Sequence, residues 1–195
     1  MLASITPLGE RSRNQRFGIT TSAHLVGGVL GGAAVGFLVG LAGLALPAGE
    51  TWRLVVFAAL LAVCAAADLR IGGLAPPTHH RQVDQLWLHR YRGWAYGAGF
   101  GAQLGAGFLT IVTSAVVYAT FAGAVLCGSP ALGALVGATF GVVRGATPLL
   151  AARVDSPARL AVLHRRIVRH AGAASGATVT AQLVLAAAVL GFVVS

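Results

Sequence analysis

The chain has no lysine and few charged residues of either sign. All 14 basic residues are arginine, five residues are acidic, and charged residues make up 10% of the 195 positions. A water-soluble domain carries about 25% charged residues, so this chain lacks the groups needed to coat a soluble core. Hydrophobic residues make up 56% of the sequence, and the mean hydropathy is +0.80. These proportions exclude an ordinary soluble domain and indicate an integral membrane protein.

Residues that usually carry metal or catalytic chemistry are also scarce. The two cysteines, Cys64 and Cys127, are far apart and form no CxxC pair, so neither a zinc knuckle nor a redox pair is indicated. The weak metal candidates are His79, His80 and His89, whose spacing matches no standard site. No Ser-His-Asp set, carboxylate pair or phosphate loop is visible. We therefore predict no enzyme activity, no metal and no cofactor.

The net charge of +9 does not indicate nucleic-acid binding. The arginines lie in short connections beside apolar runs, where the positive-inside rule places them, and they lack interleaved aromatic residues. The partner implied by this pattern is the lipid bilayer. The absence of lysine, with abundant Ala, Gly, Val and Leu, is typical of a GC-rich bacterial genome.

Apolar runs predict an all-α integral membrane bundle of about five transmembrane helices in a single membrane domain, 1–195. The predicted spans are about 21–46, 52–67, 94–127, 131–152 and 173–194. A helical third span would be about 50 Å long, against about 30 Å of hydrocarbon, so we expect it to be kinked or broken. If it crossed twice, the helix count would be six.

The number of arginines alternates between successive connections. Three precede the first span, one follows it, four follow the second, none follows the third, and five precede the last. This alternation favours one crossing by the third stretch. It predicts a bacterial inner-membrane protein whose N-terminus and long loops are cytoplasmic and whose C-terminus is outside.

Glycine recurs at four-residue spacing in three apolar runs. Residues at i and i+4 share a helix face, and small residues there let two backbones approach closely in lipid. We therefore predict a Gly-zipper-packed bundle. The glycines are Gly28, Gly32, Gly36 and Gly40 in the first run, Gly93, Gly97, Gly101 and Gly105 in the second, and Gly133, Gly137, Gly141 and Gly145 in the third.

Polar residues inside the spans form the predicted substrate path. Its members are Gln103, Thr110, Thr113, Ser114, Tyr118 and Arg144. Arg144 would contact an anion or carboxylate inside the bundle, with Asp68 as a candidate partner, or would extend to the cytoplasmic headgroups. The alternative role for the other polar side chains, and for His24 and Gln182, is hydrogen bonding between helices.

Two stretches of the sequence resemble a known family of membrane proteins. The Thr6-Pro7-Leu8 motif, the basic segment 9–13 and a Gly-rich helix resemble CcdA/DsbD-type transmembrane proteins of the LysE-like exporter superfamily. Segments 110–113 (Thr-Ile-Val-Thr) and 140–145 (Phe-Gly-Val-Val-Arg-Gly) resemble the second half of that pattern. The resemblance implies inverted halves with helices broken at the midplane. Thiol-relaying members place a cysteine beside each break, and this chain has none there, which favours the exporter side.

The leading hypothesis is a small transporter, exporter or transporter subunit that moves a small solute across the inner membrane. The alternative is a scaffold or assembly subunit that docks a partner membrane protein through its glycine faces. A thiol redox protein ranks third because the relay cysteines are missing. The expected partners are the bilayer, a small solute, and either further copies of the chain or another membrane protein.

Overall fold

The computed structural model describes residues 5–77, 87–107 and 112–194, apart from the side chains of residues 88 and 89. All regular secondary structure in these ranges is helical. The helices are α1 Pro7–Ser12, α2 Phe17–Ala42, α3 Glu50–Asp68, α4 Trp87–Arg90, α5 Gly93–Gly105, α6 Val116–Leu126, α7 Pro130–Gly145 and α8 Pro157–Val194. Short 3-10 turns follow α2, α3 and α7. Within the described ranges, the all-helical prediction is confirmed.

Among the described residues, four helices are long and apolar enough to cross a membrane: Phe17–Ala45, Glu50–Asp68, Pro130–Ala151 and Pro157–Val194. They correspond to the first, second, fourth and fifth predicted spans. Many of their large apolar side chains are exposed, as lipid contact requires. The protein is therefore a helical membrane protein.

The α2 and α7 helices run antiparallel with their backbones in contact. A Cβ built on Gly32 would overlap the carbonyl oxygen of Gly137, and one on Gly36 would overlap that of Gly133. At the other end of α7, Gly141 meets Gly28 in the same way. The glycine faces predicted on these two runs therefore lie against each other.

The α5 helix runs parallel to α2 on another side of it. A Cβ on Gly97 would meet the backbone of Thr20, and one on Gly101 would overlap the carbonyl oxygen of His24. One turn further, Gly105 meets Gly28. The α2 helix thus packs through glycine against both α5 and α7, and Gly28 belongs to both contacts.

The third apolar stretch forms two separate helices, α5 and α6. The backbone turns at Gly107, whose φ is +78°, and α6 begins at Val116. Further along α2, Val35 and Val39 pack beside Val117 and Phe121 of α6. Both helices therefore follow α2 in the same direction, α5 along its first half and α6 along its second. The predicted break lies opposite the middle of α2.

A second packed group consists of α3, α6 and α8. Asp68 at the end of α3 contacts the first residues of α6, whereas Arg53 at the start of α3 contacts Leu126 at the end of α6. The two helices are therefore antiparallel. In the core between α3, α6 and α8, Leu61 and Ala186 are buried together. The α6 helix joins this group to α2 and α7.

The last helix is longer than the sequence analysis predicted. It begins at Pro157 rather than near residue 173, so the basic segment before the last span is helical. The start of the helix has a local signal, because Pro is favoured as the first helical residue and the Ser156 hydroxyl lies at hydrogen-bonding distance, 3.4 Å, from the amide of Arg159. Most of this basic half is exposed.

Candidate functional site

The break between α5 and α6 leaves two helix ends opposite the middle of α2 and beside the last residue of α3. A helix N-terminus has unpaired amide groups and partial positive charge, and a C-terminus has unpaired carbonyls and partial negative charge. At membrane depth these groups need partners from the protein or from a polar cavity. The residues that meet the two ends define the candidate site.

Asp68, the last residue of α3, meets the N-terminus of α6. Its Oδ1 accepts the amide of Ala115 at 2.7 Å, and its Oδ2 accepts the hydroxyl of Ser114 at 2.7 Å. The Ser114 oxygen in turn accepts the amide of Val116 at 3.2 Å. A carboxylate at this position suits the positive end of the helix. Asp68 therefore fixes where α6 begins.

Arg144 lies near the other end of the break. One of its guanidinium nitrogens donates to the carbonyl oxygen of Gly107 at 3.4 Å, just beyond the end of α5. The guanidinium carbon also lies 5.4 Å from the ring centre of Phe140, one turn earlier on α7. A cation at a helix C-terminus and an anion at a helix N-terminus are both favourable. The break therefore has a positive charge at the end of α5 and a negative charge at the start of α6.

The suggested pairing of Asp68 with Arg144 is wrong. In the described part of the chain, the partners of Asp68 are Ser114, Ala115 and Gln182, and Arg144 is not among them. The reason is that each charge meets a different helix end.

Gln182 adds a polar group from α8 to the same site. Its amide nitrogen donates to Oδ2 of Asp68 at 3.0 Å, and only 2% of the residue is exposed. Its buried Oε1 has no hydrogen-bond partner among the described residues. A carboxylate can accept about four hydrogen bonds, and Asp68 accepts three here. The site can therefore accept further hydrogen bonds.

Only part of the predicted substrate path meets at this site. Ser114 and Arg144 lie at the two ends of the break, whereas Thr113 beside Ser114 is exposed. Gln103 is half-buried on α5, and the hydroxyl of Tyr118 donates to the carbonyl oxygen of Pro77. Thr110 lies outside the described residues. Asp68 and Gln182 complete the site, although the sequence analysis assigned neither of them to the path.

A second buried polar cluster lies where α1 meets α2 and α5. The carboxylate of Glu10 is fully buried and accepts hydrogen bonds, each of 2.6 Å, from Arg13, Thr20 and Tyr96. Burial lowers the pKa of Arg13, but its hydrogen bonds to Glu10 and Tyr96 raise it, and the net shift is upward. This cluster ties the N-terminal segment to two membrane helices.

The first predicted span begins near residue 21, and α1 was not predicted from the sequence. The available signal was Thr6-Pro7, because Thr is favoured as an N-cap and Pro as the first helical residue. Thr6 accepts the amide of Gly9 at 3.0 Å. The amide of Leu8 also donates to the carbonyl of Val154 at 3.3 Å, which joins α1 to the connection before α8.

The metal and thiol candidates can be followed only in part. His79 and His80 lie outside the described residues, as does the side chain of His89. Within the described ranges, no group of three His, Cys, Asp or Glu side chains could hold a metal ion. Cys64 is buried in α3, Cys127 is exposed after α6, and both are free thiols.

No protein-family model, curated protein or solved structure matches this chain. Its class therefore rests on the helices and on the site described above. The protein is a helical membrane protein in which α5 and α6 are separated by a break with Asp68 at one end and Arg144 at the other.

Proposed function

We propose that this protein is a small transporter or transporter subunit of the bacterial inner membrane, and that its solute binds at the break between α5 and α6. The observation that carries the proposal is the pair of helix ends bracketed by Asp68 and Arg144 opposite the middle of α2. Many transporters bind substrates and ions at discontinuous helices whose ends present charged or polar groups. The spare acceptor on Gln182 favours a solute that donates hydrogen bonds.

The proposed topology has five crossings, with α5 and α6 together forming the third. This follows from their common direction along α2 and from the alternation of arginines between connections. The N-terminus and the Arg-rich connections would then be cytoplasmic and the C-terminus outside. Glycine contacts hold α2 against α5 and α7 in this arrangement. Of the two helices in the third crossing, α6 has fewer glycine contacts with α2 than α5 has.

The alternative function is a scaffold that docks a partner through its glycine faces. Glycines of the three predicted faces contact backbone of the same chain, for example Gly32 with Gly137 and Gly101 with His24. Surfaces that are already packed inside one chain are not available to a second protein. This observation supports the transporter over the scaffold.

The transport proposal can be tested by solute uptake into proteoliposomes. Labelled amines, amino acids and small carboxylic acids are offered to the wild-type protein and to the variants Asp68→Asn, Arg144→Gln and Ser114→Ala. We expect uptake of one class, and at least about a tenfold loss in each variant, the effect of about 1.4 kcal/mol. The amount of folded protein is expected to stay unchanged.

Two controls match these substitutions. Asp155→Asn removes an exposed carboxylate outside the membrane spans, and Thr139→Val changes an exposed threonine on α7. Both should transport like the wild type. Folded wild-type protein that moves none of the three classes, or full uptake by Asp68→Asn, would contradict the proposal.

A further inference from the structure

A cleft of about 750 Å³ lies away from the break, between α3, α6, α7 and α8. Its walls are mainly apolar and include Leu54, Phe57 and Val136, with Val189 from α8. The volume is in the range of small-molecule sites, about 300–1,000 Å³. The cleft shares no residue with the break, since Asp68, Ser114, Arg144 and Gln182 do not line it.

The mouth of the cleft carries one positive and one negative group. Glu50 is the first residue of α3 and is exposed, and Arg53 follows one turn later. Arg53 donates to the carbonyl oxygens of Leu46 and Pro47 at 3.2 and 3.1 Å, which holds its side chain at this end of α3. Its buried Nε has no hydrogen-bond partner in the described part of the chain.

The charged and apolar residues of the cleft follow the same order along α3 as the headgroups and acyl chains of a lipid leaflet. Trp52 lies beside Arg53, and tryptophan is typical of the membrane–water interface. From Glu50 to Phe57 the helix descends about 10 Å. The cleft therefore extends from the headgroup level into the hydrocarbon, with charge at its mouth and apolar walls below. Apolar walls at this depth contact acyl chains favourably, whereas their contact with water is unfavourable.

We propose that this cleft is a binding site for one phospholipid whose zwitterionic headgroup carries a primary ammonium and a phosphate. The ammonium would pair with Glu50, the phosphate with Arg53, and one acyl chain would lie between Phe57 and Val136. A phosphate and an ammonium together complement the two charges, whereas an anionic headgroup without an ammonium would meet Glu50 unfavourably. The site is independent of whether the protein moves a solute.

The test is native mass spectrometry of delipidated protein titrated with three lipids of identical acyl chains: phosphatidylethanolamine, phosphatidylglycerol and phosphatidylcholine. We expect one phosphatidylethanolamine per chain, bound about tenfold more tightly than the other two. Phosphatidylcholine tests the ammonium because its quaternary nitrogen has no N–H donor. Equal binding of the three lipids would overturn the proposal.

Two variants separate the headgroup contact from the acyl contact. Glu50→Gln, at an exposed position, should keep the fold and lose the preference for phosphatidylethanolamine. Val136→Phe should weaken all three lipids by filling the cleft, whereas its neighbour Leu135→Phe, exposed on α7, should not. The proposal is wrong if Glu50→Gln keeps the preference for phosphatidylethanolamine. It is also wrong if folded Val136→Phe and Leu135→Phe bind the lipids equally well.

Discussion

Glu10 is the most deeply buried charged residue in the described part of the chain, with 0% of its surface exposed. It remains favourable there because Arg13, Thr20 and Tyr96 supply donors to both carboxylate oxygens. A buried carboxylate without such partners costs several kcal/mol. The Glu10 carboxylate therefore joins α1 to Thr20 of α2 and Tyr96 of α5.

The substitution Glu10→Gln should destabilise this end of the bundle by about 3 kcal/mol, because it removes the negative charge of the buried ion pair with Arg13. The matched control is Asp155→Asn, which removes the carboxylate of an exposed pair with Arg159 at 2.7 Å. That pair is worth about 0.5 kcal/mol. Thermal unfolding in mild detergent compares the two variants, and equal midpoints would refute the structural role of Glu10.

Single residues differ in how well their roles can be predicted from the sequence. The side chains of Ser114 and Arg144 were predicted to act inside the membrane, because polar residues in apolar runs are costly and so stand out. The role of Asp68 at the start of α6 depends on where a distant helix begins. That position is set by tertiary packing, which residue spacing along the chain does not show.

At the scale of the helices, glycine spacing was the most informative feature of the sequence. A period of four residues identifies one helix face from local geometry alone. The structure adds which faces meet: that of α2 against α7 at Gly32 and Gly137, and against α5 at Gly28 and Gly105. Pairing of this kind could not be predicted, since all three faces look alike in sequence.

The substitution Gly137→Ala should destabilise the protein by about 1–3 kcal/mol or more, as overpacking does. Its Cβ would overlap the carbonyl oxygen of Gly32, and backbone cannot move aside as a flexible side chain can. Gly176→Ala on α8 is the control, because no atom lies within 4 Å of the added Cβ. Helix propensity favours that change by about 0.5–1 kcal/mol.

The readout for this pair is the temperature at which folded protein is lost from detergent solution, followed by size-exclusion chromatography. The expected order is Gly176→Ala at or above the wild type, with Gly137→Ala clearly below both. If Gly137→Ala matched Gly176→Ala, the backbone contact between α2 and α7 would not be present in the protein.

At the scale of the whole molecule, there are two packed groups, and α6 joins them. One group, α2 with α5 and α7, is held by backbone contacts at glycine; the other, α3 with α6 and α8, is held by side chains such as Leu61 and Ala186. Composition and hydropathy were sufficient to predict the helical membrane class. They did not predict the full length of α8, because its basic half carries no apolar run.

The transport proposal requires water and solute to reach the break, whereas a scaffold would have a dry interior there. Cysteine labelling measures this difference without knowledge of the solute. In a background with Cys64→Ala and Cys127→Ala, Ser114→Cys is treated in membrane vesicles with a small charged thiol reagent. Ser12→Cys, exposed on α1, is the water-accessible control, and Thr139→Cys, exposed on α7, is the lipid-facing control.

We expect Ser114→Cys to react at a rate close to that of Ser12→Cys, while Thr139→Cys stays unmodified. The physical reason is that the charged reagent enters only hydrated regions, and the break is bracketed by Asp68 and Arg144. If Ser114→Cys in folded protein is as unreactive as Thr139→Cys, the centre of the bundle is dry and the transporter assignment is contradicted.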